Sequence, residues 1–507
     1  MLTVAFLAGP WPRLGVVVAA LLAAATIVVR SDRRKAAAML GALILAPVLL
    51  LDDVWHSSQL HFVHAHPLEA VIGGALALGV LGLAALVMHR WPWLLAPLAV
   101  LTLPFRVPVS TSGTTNYLLL PLYAVIAASA LAWLVPVLLG RREPTPQRHL
   151  HLFEWLLAAS IVLYALQALY SPAASGFPKA LQNEAFFYIP FAVLFDRLRD
   201  VEWNRAQVVR CLVVTVSLAL LFSVVGYVEE LTRQLLPLFS SKVVSANQLH
   251  EYFTVNAVFF DPNIFGRYLA LAMVLLATVL LYDNRARVQA GAVIALAMIL
   301  TCMVFTLSRS SVVALGAGLA VIAALRWRAR PVIFAGLAVL VLGVLIVAVH
   351  PSTFGLNQGF NGATDGRADL ISGGLNLFSR RPLFGFGSGS FTPEYKHYFP
   401  ISARAVSDSH NIPVTVASEQ GLVGLLLYLG LLVSALATLL RGVKGDAVRV
   451  GVAAALVALL VHTMFYADWL EDPTTWVLLS LGATLASAAQ ARASSTRRER
   501  RRSPAVA

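Results

Sequence analysis

The sequence predicts an all-α protein that crosses a membrane about 15 times, and three observations support this prediction. Of the 507 residues, 59% are hydrophobic and 12% are charged, whereas a soluble domain carries roughly 25% charged residues. Apolar runs of about 18 residues or more recur along the whole chain, and each is long enough to span a membrane as a helix. The basic residues between these runs are concentrated in every second loop, as expected when successive helices alternate in direction.

The apolar runs set the limits of the predicted spans. These spans cover residues 11–29, 36–51, 67–88, 91–105, 117–139, 152–170, 181–198, 207–231, 262–282, 288–305, 310–325, 331–349, 411–440, 450–466 and 473–490. We expect the basic tail that follows them, residues 491–507, to be disordered. The two cysteines, Cys211 and Cys302, both lie inside apolar runs, which excludes a disulfide scaffold and a cysteine-based metal site.

The distribution of arginine and lysine predicts the orientation of the chain. The positive-inside rule places the arginine-rich loops, together with the C-terminus, in the cytoplasm. The long loops then lie outside, and so do the N-terminus and residues 350–410. This arrangement accounts for the net charge of +13, so the sequence predicts contact with membrane lipids and no binding of nucleic acid.

Residues 350–410 form the longest polar interval in the chain, and His410 closes it. Asp408 or Ser409 can cap the following helix, because their side-chain oxygens accept hydrogen bonds from its first turn. The dipole of that helix disfavours a charged imidazole at its N-terminus, and a general base requires a neutral imidazole. We therefore predict that His410 takes part in catalysis. The alternative is a histidine that only caps the helix or lies at the membrane interface.

Three arginines are candidates to bind an anionic ligand near His410. Arg367 follows Gly366 in the polar interval, Arg309 lies in a tight hairpin between two spans, and Arg267 lies just inside a span. Arginine forms forked hydrogen bonds and keeps its charge, so three guanidinium groups on one face suit a diphosphate. The alternative for each is an arginine that is solvated or extends its charged end from the membrane to water.

The glycines of the polar interval and one glutamate inside an apolar run each allow two interpretations. Gly385, Gly387 and Gly389 indicate a turn that folds the loop back onto the membrane, with a phosphate-binding turn as the alternative. Glu419 lies nine residues after His410, which places the two on opposite faces of one helix. We expect Glu419 to pair with another helix rather than to take part in the chemistry.

Two further groups lie nearer the N-terminus. Lys179 and Glu184 flank the start of a short predicted span, so they either line a substrate site or mark the membrane interface. Four histidines lie in the first long loop, where too few carboxylates accompany them for a metal site, and we expect an exposed loop and no bound metal. These histidines are His56, His61, His64 and His66.

Short motifs along the chain, taken in order, resemble those of the O-antigen ligase and O-antigen polymerase superfamily. They lie at residues 103–106 (Leu-Pro-Phe-Arg), 117–123, 261–267 (Asp-Pro-Asn-Ile-Phe-Gly-Arg), 307–310 (Leu-Ser-Arg-Ser), 366–367 (Gly-Arg), 382–387 (Pro-Leu-Phe-Gly-Phe-Gly), 410–411 (His-Asn) and 419–424 (Glu-Gln-Gly-Leu-Val-Gly). The resemblance covers roughly residues 91–490. It makes 350–410 the catalytic loop of this core and leaves residues 1–90 as additional N-terminal helices.

The resemblance implies an inverting, metal-independent glycosyltransferase of the GT-C type, without a cofactor, in a bacterial inner membrane. Its donor would be a glycan on undecaprenyl diphosphate, and its acceptor a lipid or glycan such as lipid A–core. The resemblance assigns diphosphate binding to Arg309 and Arg367, and it gives His410 the role of activating the acceptor hydroxyl or orienting the donor. Further candidates to bind substrate are Arg267, Asn263, Arg106, Lys179 and Asn411.

Three functions remain open on the sequence alone. A ligase joins the finished glycan to a different acceptor, whereas a polymerase extends the glycan while it stays on its lipid carrier. The two share donor and chemistry, so the motifs do not separate them. A lipid or glycan transporter is the alternative of another class. It fits less well, because transporters place polar groups at mid-membrane and here they gather at one face.

Overall fold

A computed structural model describes residues 10–54, 61–111, 114–142, 148–172, 175–236, 253–327, 366–400, 409–466 and 468–502, with positions 244, 330–332, 334 and 336 between them. These ranges are mostly helical. The α-helices are α1 (Pro10–Val28), α2 (Asp32–Val54), α3 (His61–Ala65), α4 (Pro67–Arg90), α5 (Leu95–Thr102), α6 (Leu120–Leu138), α7 (Leu152–Ala168), α8 (Gly176–Asn183), α9 (Ile189–Arg199), α10 (Arg205–Thr232), α11 (Pro262–Tyr282), α12 (Ala286–Phe305), α13 (Arg309–Arg326), α14 (Arg367–Arg380), α15 (Phe391–Tyr398), α16 (Ile412–Leu440), α17 (Ala447–Thr463) and α18 (Pro473–Arg502).

Within the described ranges, nine helices are long and apolar enough to cross a membrane: α1, α2, α4, α6, α10, α11, α12, α13 and α16. Shorter apolar helical stretches lie at Pro92–Thr102, Leu152–Ala168 and Ala447–Thr463. This architecture confirms the predicted all-α polytopic membrane protein. The count of about 15 spans stays a prediction. One of those spans, residues 331–349, lies outside the described residues except for four positions.

A short β-hairpin interrupts the helical order between α5 and α6. Strands β1 (Val107–Thr111) and β2 (Thr114–Leu118) pair antiparallel, with Val107 opposite Leu118. Both strands contain β-branched residues and flank a Ser-Gly pair in the sequence, a composition that favours a hairpin. One of the long loops of the predicted topology is therefore an ordered hairpin, and it begins directly after Arg106.

Two helical segments are longer than the sequence predicts. Helix α8 continues through a π-helical segment, Glu184–Tyr188, into α9, so the predicted span at 181–198 is part of a longer helix. Helix α18 extends to Arg502, so residues 491–502 of the expected disordered tail are helical. Arginine makes up half of this stretch, and its high helix propensity favours extension of a helix that has already formed.

The helices share one large apolar core, and their positions in it differ widely. In the most apolar 18-residue stretch of α11, 72% of the residues are buried, which places this helix at the centre of the bundle. It packs against α10, α12, α13 and α17. In α4 the corresponding share is only 11%, so most of its apolar surface is left to lipid, as expected of a helix that is apolar all round. The central helix α11 is also the one that begins at the motif of residues 261–267.

The first two helices are integrated into the core rather than appended to it. Helix α1 packs against α2, α7 and α9. Lys35 of α2 forms a buried ion pair of 2.6 Å with Asp196 of α9. The Arg13 guanidinium of α1 donates to the carbonyl oxygens of Leu169 and Ser171 after α7. Residues predicted as an addition to the core thus form polar contacts at both ends of α7.

Candidate functional site

The N-terminal ends of α11, α13 and α16 meet beside the C-terminal end of α17. Asp261 caps α11 by accepting from the Asn263 N–H at 2.6 Å, and Pro262 suits the first helical position. Ser308 caps α13, and its hydroxyl also donates to Asn263 Oδ1 at 2.9 Å. Asn263 therefore joins the start of α11 to the turn that precedes α13.

A buried histidine extends this polar network into α17. The ring nitrogen Nε2 of His462 lies 3.2 Å from the Ser310 hydroxyl, and the side chain is fully buried. Arg267 lies close to His462, because both side chains stand beside the Tyr466 ring. The sequence contains no local signal for His462, because it is a single histidine in an apolar run.

Arg309 occupies the first position of α13, directly after the Ser308 cap. The preceding turn is tight: α12 ends at Phe305, and Leu307 has φ of +51°. The Arg309 side chain is exposed. Within the part of the chain that the structure describes, it forms no ion pair. The predicted hairpin is therefore present, and the Arg309 guanidinium lies at the protein surface.

Arg267 is placed differently, because its charge is already compensated inside the protein. Its Nη2 lies 2.9 Å from a carboxylate oxygen of Asp468 and 2.9 Å from one of Asp472. The side chain is buried, and its guanidinium carbon lies 5.9 Å from the centre of the Tyr466 ring. Two carboxylates around one guanidinium are typical of a structural ion pair, so Arg267 links α11 to the segment before α18.

His410 precedes α16 in an unusual backbone conformation. Its φ is +53°, a left-handed value that side chains with a Cβ rarely adopt. The expected caps are corrected: Asn411 caps α16 by accepting from the Val414 N–H at 3.1 Å. Asp408 lies outside the described residues. Ser409 instead accepts from the Asn411 N–H at 3.0 Å, because one tight turn lies between it and the helix.

The amide of Asn411 also fixes this turn against α17. Its Nδ2 donates to the Met464 carbonyl at 2.9 Å. The His410 ring then lies edge-on to Tyr466, with 6.2 Å between the ring centres. Asn411 thus fixes the backbone next to His410, whose imidazole packs against a neighbouring aromatic ring.

Tyr466 is the residue around which the predicted site residues gather. Its hydroxyl lies 3.2 Å from Asp261 Oδ2. Burial raises the pKa of Tyr466 well above its usual value, and the carboxylates of Asp261 and Asp468 raise it further. The phenol therefore stays neutral and donates to Asp261. The positive charge of Arg106 opposes this rise in the pKa of Tyr466. The Arg106 guanidinium lies over the Phe260 ring, 5.3 Å from its centre.

Arg367 begins α14 after Gly366, whose φ of +78° suits a glycine. Its side chain is partly exposed and forms no ion pair with the residues described in this structure. Helices α14 and α16 run side by side in the same direction, with Gly374 next to Val414 and the Leu422 N–H donating to the Pro382 carbonyl, so Arg367 and His410 lie at the same end of this pair. Arg367 and Arg309 thus offer charge at the surface of the cluster, whereas Arg267 lies beneath it.

Lys179 does not join this cluster. It lines a separate cavity of about 80 Å³ between α7, α8 and α16, together with Asn183, Glu419 and Glu471. In that cavity the Asn183 amide donates to Glu471 at 2.7 Å. The structure therefore brings together Arg106, Asn263, Arg267, Arg309, Arg367, His410 and Asn411, and it separates Lys179 from them.

The segment between α17 and α18 supplies side chains that pair with Arg267 and that no sequence pattern predicted. Tyr466, Asp468 and Asp472 lie there, and Glu471 points to the neighbouring cavity. The available signal was the density of acidic residues: the run Tyr-Ala-Asp-Trp-Leu-Glu-Asp contains three carboxylates in seven residues between two apolar helices. Charged residues are rarely buried unless they are paired, so such a run indicates carboxylates that pair with a buried arginine.

Comparison with known families gives a match over part of the chain. A family model described as O-antigen ligase matches residues 292–429, which contain Arg309, Arg367 and His410. No curated protein is significantly similar to the chain. The match implies a glycosyltransferase-like membrane enzyme that acts on lipid-linked glycan and an acceptor. The chain is thus a multi-pass membrane protein in which residues 292–429 match the O-antigen ligase family.

Proposed function

We propose that the chain transfers a glycan from undecaprenyl diphosphate to a hydroxyl group of a lipid or glycan acceptor, as an O-antigen ligase does. One observation supports this most directly. Within the matched residues 292–429, Arg309 and Arg367 begin helices whose first turns lie near His410, and both side chains reach the surface. An anionic diphosphate next to a potential base is the substrate arrangement that this geometry suits.

The two surface arginines would hold the donor. Each guanidinium can form two parallel hydrogen bonds to phosphate oxygens, and a diphosphate has oxygens enough for both. Arg267 would not bind the donor directly, because its charge is paired with Asp468 and Asp472. These ion pairs fix the position of α11. Asn263 and Asn411 likewise hold the turns that carry Arg309 and His410. Arg106, which lies over the Phe260 ring next to Asp261, is a further candidate to bind the donor.

The reaction follows from these placements. The acceptor hydroxyl attacks the anomeric carbon of the donor glycan, and a new carbon–oxygen bond forms as the bond to the diphosphate breaks. His410 takes the hydroxyl proton, and Arg309 and Arg367 stabilise the negative charge that develops on the departing diphosphate. Attack from the face opposite the leaving group inverts the anomeric centre. The positive side chains thus supply the charge that a metal ion supplies in other glycosyl transfers.

Product analysis tests the transfer and separates a ligase from a polymerase. Purified protein in lipid nanodiscs is given a defined undecaprenyl-diphosphate oligosaccharide, with and without a lipid A–core acceptor. A ligase yields acceptor-linked glycan, whereas a polymerase yields a longer glycan on undecaprenyl diphosphate. If neither product forms while the same donor instead crosses a sealed vesicle membrane, the chain is a transporter and the proposal is wrong.

The proposal also requires the site to face outward from a bacterial inner membrane. A single cysteine at Ser379, in a variant without Cys211 and Cys302, would be labelled in intact spheroplasts by a maleimide that does not cross membranes. A cysteine at Ala286, at the start of α12, should be labelled only after the membrane is opened. Labelling with the opposite pattern places the site in the cytoplasm and contradicts the proposal.

A further inference from the structure

The long helix α16 is interrupted shortly after His410, and a loop docks into the interruption. Gly421 has φ of +64° and ψ of −161°, which breaks the helical hydrogen bonding. Residues 382–390, here called the glycine loop, supply the missing partners. The N–H groups of Leu422 and Val423 donate to the carbonyls of Pro382 and Leu383 at 2.7 and 3.3 Å. Inside a membrane protein such backbone groups need protein partners, because lipid offers none.

Glu419 holds the other half of the glycine loop through its carboxylate. One oxygen accepts from the Gly389 N–H and the other from the Phe391 N–H, each at 2.9 Å. The side chain is 4% exposed. A buried carboxylate is costly unless it is hydrogen-bonded, and here both oxygens have donors. Phe391 is also the first residue of α15, where the helix dipole favours a negative charge.

The glycines of this loop are required by close contact rather than by flexibility. A Cβ atom at Gly385 would lie 2.3 Å from the backbone of Glu419, and one at Gly389 would lie 2.6 Å from the Gly176 carbonyl oxygen. Both glycines also have positive φ. The glycine loop is therefore a fitted element between α16 and α8, and the predicted turn has a defined shape.

The glycine loop connects the two helices that carry the proposed chemistry. It follows α14, which begins at Arg367, and it binds α16, which begins just after His410. The two helices also touch directly, since a Cβ at Gly374 of α14 would lie 2.3 Å from Val414 of α16. Any movement of the loop along α16 therefore changes the distance between Arg367 and His410.

We propose that Glu419 is a positioning residue that sets the distance between the base at His410 and the donor phosphates at Arg367. This inference rests on the proposed function, because it needs a donor at Arg367. Glu419 acts through the glycine loop and does not contact the reacting atoms. An error of about 1 Å in such a distance lowers a rate by about 100-fold while binding is largely kept, so the effect should appear in kcat.

The test compares kcat and KM in three variants that disturb the same contact. Glu419→Gln places an amide nitrogen where one N–H needs an acceptor, Glu419→Asp shortens the link, and Gly389→Ala displaces the loop while the carboxylate stays. In each, we expect kcat to fall about 10- to 100-fold, with the KM for lipid-linked donor within about threefold of wild type. Glu419→Asp should keep more activity than Glu419→Gln, because it keeps both acceptor oxygens.

A matched control separates positioning from general stability. Glu154→Gln alters another buried carboxylate, which accepts from the His151 N–H at 2.7 Å at the far end of α7. It should lower the unfolding temperature about as much as Glu419→Gln does, with kcat per folded protein unchanged. If kcat of the folded Glu419 and Gly389 variants equals that of wild type, the inference is wrong. If none of the three folds, the contact serves folding alone, and the inference is wrong too.

One further variant keeps this inference separate from the proposed function. His410→Ala is measured in the same transfer assay. An inactive His410→Ala with fully active Glu419 variants would overturn only the positioning role. A fully active His410→Ala would overturn the proposed base, and the positioning role with it.

Discussion

Charged side chains are buried in two regions of the molecule, and helix α7 connects these regions. At its first turn, Glu154 lies 3.5 Å from Arg199. Just beyond its last turn, the Ser171 hydroxyl donates to the Ser388 carbonyl of the glycine loop at 2.7 Å. Helix α7 has 17 residues, so it is about 25 Å long at 1.5 Å per residue. The region at the first turn is here called the basic end, and the other is the site end.

The basic end contains positive charges that are matched by carboxylates. Asp196 contacts Lys35, Arg148 and Arg197, and Arg197 also lies 2.9 Å from Asp200. At the site end, Arg267 follows the same rule with Asp468 and Asp472. Arg309 and Arg367 do not, as far as the described residues extend. Pairing thus separates arginines that hold helices together from arginines that are available to a ligand.

The largest effect is expected from His410→Ala. Removal of a general base lowers a rate by about 10²- to 10⁴-fold, and the loss of stability should be small, since the His410 side chain is only partly buried. The measurement is kcat for glycan transfer, with thermal unfolding beside it. His397→Ala is the control, because this exposed histidine belongs to the same polar interval. A rate within about twofold of wild type would remove His410 from the chemistry.

At the basic end, Asp196→Asn should lower stability and leave chemistry intact. The change leaves Lys35 buried without its carboxylate and Arg197 paired with Asp200 alone, and breaking a buried pair costs about 3–5 kcal/mol. We expect a lower midpoint in denaturant unfolding and unchanged kcat per folded protein. A loss of kcat without loss of stability would mean that the basic end also serves the reaction, and the contrast between the two regions would fail.

The opposite outcome is expected for Arg309→Gln and Arg367→Gln. Loss of one donor to a developing anionic charge lowers a rate by about 10²- to 10³-fold, while stability should stay near that of wild type. The assay is kcat/KM with lipid-linked donor. Arg285→Gln is the control, an exposed arginine that is paired with the neighbouring Asp283. If Arg309→Gln or Arg367→Gln lowers stability while activity stays at the wild-type level, these arginines hold helices together and do not bind the donor.

The sequence predicts the fold class and most of the site, because both depend on local patterns. Apolar runs specify the membrane helices, and the hairpin before Arg309 follows from two adjacent runs. The sequence does not predict that Arg267 is neutralised, since its carboxylates lie about 200 residues away in the chain. Nor does it separate Lys179 from the cluster, because only packing shows which face of α8 turns toward which cavity. Pairing across distant segments is a tertiary property, and single-sequence patterns do not contain it.

The smallest effect is expected where α7 reaches the site end. In Ser171→Ala the hydroxyl that donates to the Ser388 carbonyl is lost, and one hydrogen bond contributes about 1 kcal/mol. The two regions would then be less firmly connected. We expect backbone amides of residues 385–391 to exchange with deuterium about fivefold faster, with exchange at the basic end unchanged.

Ser129→Ala is the control for this last change, because its buried hydroxyl donates only to the Ile126 carbonyl one turn away in α6. It should leave exchange in the glycine loop at the wild-type rate. Equal exchange in the Ser171→Ala and wild-type loops would mean that α16, through Glu419, holds the loop alone. Faster exchange confined to the loop would show that α7 supports the site end independently of the ion pairs at its other end.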